Sequence, residues 1–128
     1  MAAIFLRDAN RVRSLLNHHP RIATCPDGRG DFPIHYAARN SDLGVVRLLI
    51  EYGATTNEIN TRGHTVLYCA GGHGHLESVR LLAQLGADPS VRFTHDGKNL
   101  AEWLAQYPDD ERFVPIAELL TKTRSRGP

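Results

Sequence analysis

At 128 residues the chain is one domain's worth of protein, and its net charge of +1 gives no electrostatic reason to expect a nucleic acid or an anionic membrane as partner. No apolar run approaches the roughly 20 residues of a membrane span, and Met1 to Leu6 is too short for a secretory signal. Cys25 and Cys69 sit in unlike contexts, a loop and a helix, so reduced thiols and a cytoplasmic or nuclear location are expected rather than a disulfide.

The first element is a helix marked by Asp8, Val12, Arg13, Leu15 and Leu16, and the same pattern returns 34 residues later as Asp42, Val46, Arg47, Leu49 and Ile50. Only Met1 to Leu6 remain ahead of it for a partner helix, so residues 1–26 are expected to form a short, partial unit. Next comes Gly30-Asp31-Phe32-Pro33-Ile34-His35-Tyr36-Ala37-Ala38. Ile34, Ala37 and Ala38 fall at helical spacing, giving a first helix with a small apolar face, and Pro33 suits its first turn because the missing N–H costs nothing there. Leu43, Val46, Leu49 and Ile50 form the stripe of a second helix, which Asp42 is placed to cap and Gly53 to end. Residues 27–59 are thus a complete helix-turn-helix unit.

The unit returns 33 residues on, as Gly63-His64-Thr65-Val66-Leu67-Tyr68-Cys69-Ala70-Gly71, followed by the stripe Leu76, Val79, Leu82 and Ala83 and by Gly86. That is residues 60–92. Gly97 follows Gly63 by 34, and Leu100 to Tyr107 reads as another first helix. Leu119 follows Leu82 by 37, so about three residues are inserted around Pro108 to Val114. Pro108-Asp109-Asp110 is expected to break the chain and cap a last helix, with Pro115 in its first turn. Residues 93–120 are read as a divergent C-terminal capping unit and 121–128 as a flexible basic tail.

Neither helix pair buries its apolar face alone; stacking on a neighbour buries it. The period and its anchors, Phe32-Pro33-Ile34-His35-Tyr36-Ala37-Ala38, Thr65-Val66-Leu67-Tyr68-Cys69-Ala70, Gly74-His75 and the Gly-Ala pairs at 53–54 and 86–87, resemble the ankyrin repeat. The resemblance covers essentially the whole chain. It implies an all-α solenoid of stacked helix-turn-helix units with hairpin loops, about four repeats, two full and two partial. It also implies a non-catalytic protein-interaction module, a scaffold or adaptor, or alternatively a compact inhibitor of an enzyme, acting as a monomer or within a larger complex and carrying no cofactor.

Partners of such repeats engage the hairpin loops and the exposed face of the first helices. By register, the loop positions here are Arg29 and Asp31, Arg62 and His64, His95 and Lys98. The helix positions are Tyr36, Arg39 and Asn40, then Cys69, Gly72 and His73, then Trp103, Gln106 and Tyr107. Tyr36, Cys69 and Trp103 are expected to form one column, with Arg39, Gly72 and Gln106 beside it. Tyr, Trp and Arg are the types that most often dominate binding energy, although Trp103 has an alternative role in packing the open end of the stack. Arg13, Arg47 and Arg80 form a further column on the second helices, where they keep the outer face wet while their stems cover apolar surface.

Chemical readings of the same residues are weaker. Cys69 and His73, four apart on a helix with His64 nearby, invite a zinc or thiol-sensor reading, but three candidates with no CxxC fall short of an ordinary zinc site. Resemblance assigns Gly74-His75 and His35 to structural hydrogen bonds with backbone, and with Tyr68 at the matching place the second of the inter-loop bonds is in doubt. As a nucleophile Cys69 lacks an orienting third group, so no catalytic residue is expected. Arg29-Gly30-Asp31 spells an integrin-binding tripeptide, but Gly30 is the unit's own turn glycine.

Overall fold

The structure of the chain, a computed structural model, describes residues 9–93 and 97–125. The helix expected within Met1 to Leu6, Asp8, His95 and the end of the tail at 126–128 lie outside the described residues. In chain order the helices are α1 (Ala9–His18), a short 3-10 helix (Pro20–Thr24), α2 (Pro33–Arg39), α3 (Leu43–Glu51), α4 (Val66–Gly71), α5 (Leu76–Gln84), α6 (Leu100–Leu104) and α7 (Val114–Ser125). Among the described residues there is no strand, only an isolated bridge between Ile59 and Thr65 in a hairpin. The architecture is an all-helical ankyrin-type stack.

Local chemistry sets where each helix begins. Pro33 opens α2, as its fixed φ and absent N–H favour. The Asp42 carboxylate accepts the Val45 N–H at 3.1 Å and starts α3, and Thr65 Oγ1 accepts the Tyr68 N–H at 3.0 Å to start α4. At α6 the cap is reciprocal: Asn99 accepts from the Glu102 N–H at 2.9 Å while the Glu102 carboxylate accepts from the Asn99 N–H at 3.0 Å. Gly53 and Gly86 both leave their helices at φ 100°, the left-handed conformation that ends α3 and α5.

Two expectations need correction. α6 stops at Leu104 rather than Tyr107, because Pro108 disfavours helical geometry in Tyr107 and the chain tightens into three-residue turns, Gln106 N–H to Trp103 O at 3.2 Å and Tyr107 N–H to Leu104 O at 2.9 Å. Residues 121–125, expected to be flexible, are the last turn and more of α7, which carries on past the register at which α3 and α5 end.

α2 packs on α3 and α4, α4 on α5 and α6, and the second helices line up behind them as α3, α5 and α7. One apolar cluster runs the length of the stack, from Val12 and Leu16 through Ile34, Val46 and Leu49, then Val66, Val79 and Leu82, to Leu100, Leu104, Ile116 and Leu120. All of these side chains are at most 2% exposed. The arginine column Arg13, Arg47 and Arg80 lies on the opposite, exposed face, with Arg13 3.7 Å from Glu51 and Arg80 3.3 Å from Glu77. Because Leu49 is fully buried between neighbouring units, Leu49→Ala is expected to cost about 2–5 kcal/mol, read as a lowered midpoint in chemical denaturation.

Candidate recognition surface

The hairpin before α2 is shaped by Asp27, a residue the sequence reading passed over. Its Oδ1 accepts the N–H groups of Arg29 at 2.8 Å and Asp31 at 3.0 Å, an Asx-type turn, and its other oxygen accepts the Tyr36 hydroxyl. That hydrogen bond holds Asp27 below the usual carboxylate range and pushes the Tyr36 phenol up to about 12. Asn60 repeats the turn one unit later, accepting from Arg62 N–H and His64 N–H, both at 3.0 Å. The signal was present in the sequence as Asp27-Gly28-Arg29-Gly30 and Asn60-Thr61-Arg62-Gly63, an Asx residue at the same place in both hairpins.

Between the two hairpins lies a polar junction centred on Asp31, which is 1% exposed. Its carboxylate accepts Asn60 Nδ2 at 2.6 Å from the following unit and the Arg39 guanidinium at 3.0 Å from the end of α2. Burial opposes ionisation of Asp31, but these donors outweigh it and keep its pKa below the ordinary value. The tips interlock as well: Thr61 donates its hydroxyl to the Arg29 carbonyl, and a Cβ on Gly30, which sits at φ 75°, would come within 2.5 Å of the Thr61 side chain. His35 is fully buried. Its Nδ1 accepts the Phe32 N–H at 3.0 Å and its Nε2–H donates to the Glu58 carbonyl at 3.2 Å. His75 does the corresponding work at the helix turn, donating Nε2–H to the Arg39 carbonyl at 2.8 Å.

These bonds change the list of accessible residues. Asp31 faces inward, so the Arg29-Gly30-Asp31 tripeptide offers no free carboxylate to a receptor. Cys69, expected in an exposed column between Tyr36 and Trp103, is 1% exposed and belongs to the apolar cluster that runs through the stack. Burial pushes the Cys69 thiol up to about 11, so it is protonated at neutral pH and a poor nucleophile or metal ligand. Its neighbour His73 turns back, Nδ1–H donating to the Cys69 carbonyl at 2.9 Å. Among the described residues, no group of three or more His, Cys, Asp or Glu side chains is arranged to hold a metal.

The remaining positions stay accessible to different degrees. Arg29, Arg62, His73, Gln106 and Tyr107 are exposed; Tyr36, Arg39, Asn40, His64, Lys98, Gly72 and Trp103 are partly buried. Tyr36 and Arg39 are anchored by Asp27 and Asp31, with the Arg39 guanidinium 5.4 Å from the Tyr36 ring centre. Around Tyr68 the side chains form a cluster of rings: Tyr68 lies 4.6 Å from His64, 4.7 Å from Phe93 and 5.1 Å, edge-on, from Trp103, measured between centroids. Trp103 continues the cluster to Tyr107 at 5.1 Å and Phe113 at 5.5 Å. Trp103 therefore packs the end of the stack while keeping part of its surface in water.

A family profile described as ankyrin repeats, three copies, matches residues 1–93. Among curated relatives, a probable E3 ubiquitin-protein ligase of Oryza sativa subsp. japonica, XBOS32, is 38% identical over 82 residues, 63% of this chain and 16% of the relative. The B-cell lymphoma 3 protein homolog of Mus musculus is 36% identical over 67 residues, 52% of this chain and 15% of the relative. Ankyrin repeat domain-containing protein 63 of Homo sapiens is 39% identical over 74 residues, 55% of this chain and 20% of the relative. The chain thus spans a fifth or less of the length of these relatives.

Burial holds the His35 pKa below its ordinary 6.5, and both ring nitrogens are already committed, Nδ1 to an incoming N–H. A depressed histidine pKa means that the unfolded chain binds the proton more readily, so stability is full above about pH 6.5 and falls as pH drops below it towards the folded-state value. The melting temperature is expected to fall between about pH 7 and pH 5, and His35→Gln to flatten that slope. An unchanged slope in the variant would assign it to another histidine.

Proposed function

Because this chain belongs to the ankyrin-repeat family, whose repeats are generally protein-interaction modules and typically non-catalytic, we propose that it recognises a partner protein through its hairpin tips and the adjoining face of its first helices. In this reading residues 27–59 and 60–92 are the two full repeats and supply most of the surface. Units 1–26 and 93–120 flank them.

One observation carries the reading. The hairpin carboxylates Asp27 and Asp31 are consumed internally, by Tyr36 and by Arg39 and Asn60, whereas Arg29 and Arg62 project exposed from successive tips of a frame those bonds hold in register. A frame already held in register leaves little backbone freedom to be lost on binding, which favours affinity. Tyr36 and Trp103 add partly exposed aromatic surface of the kind that anchors interfaces. The absence of an accessible nucleophile at Cys69 supports recognition over chemistry, and two free cysteines, Cys25 exposed and Cys69 buried, support a reducing compartment inside the cell.

Replacing Arg29 and Arg62 together by alanine is expected to weaken capture of the native partner by about tenfold or more, measured by quantitative pull-down from the source cell. Stability is expected to stay within about 0.5 kcal/mol of wild type, since both side chains are in solvent. Undiminished capture by a folded double variant would place the interface elsewhere.

A further inference from the structure

The arginines of this fold are of two kinds. Arg13, Arg39, Arg80, Arg92 and Arg112 each pair with a carboxylate. Arg29 and Arg62 are exposed on successive hairpin tips and form no ion pair among the described residues. The acids around them are already engaged. Asp27 shares the first hairpin and feels the charge of Arg29, but its oxygens accept the Tyr36 hydroxyl and the Arg29 and Asp31 N–H groups. Asp31 is buried beneath Arg39 and Asn60. The second hairpin, Asn60-Thr61-Arg62-Gly63-His64, contains no acid at all. The distinction is one of commitment rather than of net charge: the acceptors are taken, and two guanidiniums are left with their donors uncommitted.

Those two arginines also share a geometry. The Arg29 N–H reaches Asp27 Oδ1 at 2.8 Å, and the Arg62 N–H reaches Asn60 Oδ1 at 3.0 Å. The same turn thus sets both side chains off from equivalent places. α2 and α4 pack directly on each other, and neighbouring helices lie about 8–10 Å apart. The Thr61 hydroxyl, bonded to the Arg29 carbonyl, keeps the tips together at that junction. An extended chain advances about 3.3 Å per residue, so about three residues carry it from one arginine to the next.

We propose that the hairpin tips take an extended acidic segment of a partner protein, with Asp or Glu at i and i+3 set against Arg29 and Arg62. This rests on the reading of the tips as the recognition face and names the chemistry of its ligand. A guanidinium presents a planar fork of donors that fits a carboxylate through two parallel bonds. Two spaced carboxylates match two arginines, whereas the chain's net charge of +1 does not suit the continuous phosphate run of a nucleic acid.

The test is selection from a displayed library of random linear peptides against the full chain, followed by fluorescence anisotropy of single selected peptides. Enriched sequences are expected to carry two acidic residues three apart, and Arg29→Ala with Arg62→Ala to weaken them by about tenfold or more. Arg29→Glu with Arg62→Glu is expected to reject those peptides and to bind counterparts with lysine at the same two places. Arg47→Ala removes the same charge from the exposed face of α3 and is expected to leave binding unchanged, with melting curves showing that each variant is folded. The proposal is overturned by enrichment without the acidic pair, by binding that survives the alanine double variant, by equal weakening in Arg47→Ala, or by a single-stranded oligonucleotide bound more tightly than any selected peptide. Lost capture of the native partner by the alanine double variant, alongside the first of these results, would keep the tips as the recognition face and remove only their acidic ligand.

Discussion

A carboxylate almost wholly shielded from water, Asp31, ties the hairpin before α2 to the hairpin before α4. An ionised carboxylate in that position is costly unless each oxygen is engaged by donors of good geometry. Arg39 from its own unit and Asn60 from the next supply them. The consequence reaches beyond one ion pair. The backbone carbonyl of Arg39 in turn receives His75 from the following helix turn. One buried charge therefore joins two successive hairpins to the end of α2.

Successive junctions solve the same stacking problem with different chemistry. Between the α2–α3 pair and the α4–α5 pair, directional bonds recur: Asp31 with Asn60, His35 with the Glu58 carbonyl, Thr61 with the Arg29 carbonyl, and Ser41 with Ser78 at 3.0 Å. Hydrogen bonds specify register closely because they lose strength steeply with misalignment. At the next junction the place of His35 is taken by Tyr68, and a ladder of rings runs through Phe93, Trp103 and Phe113. Ring packing supplies buried area and tolerates adjustment, consistent with the inserted residues. The polar junction holds the hairpin tips in fixed register, and the aromatic one carries the stack to its last helix pair.

Much of this was legible from spacing. The 33-residue return of Gly30 and Gly63, the stripes through Leu49 and Leu82 and the Asp42 cap all follow from local patterns that act over one turn or one unit, whereas the role of His75 came from the family resemblance. What spacing does not carry is the direction of a long side chain. Asp31 and Cys69 occupy register positions expected to face outward, but Arg39 and Asn60 hold the one inward and the other packs in the apolar cluster. Ser41, at φ 55°, shows the same limit in the backbone. It stands where the next repeat has Gly74, and its conformation is sustained by a long-range bond to Ser78 rather than by its own preference. The length of α7 was missed for a simpler reason: Thr123 stands at the place matching Gly86.

The central claim is that Asp31 and Arg39 act as one unit within the stack. A double-mutant cycle with Asp31→Ala, Arg39→Ala and both together, followed by equilibrium denaturation, tests it directly. The account predicts single losses of about 2–3 kcal/mol each and a double variant scarcely worse than either single, a coupling above about 1 kcal/mol. Losses that add to within about 0.5 kcal/mol would contradict it, and would mean that the two residues stabilise the protein independently.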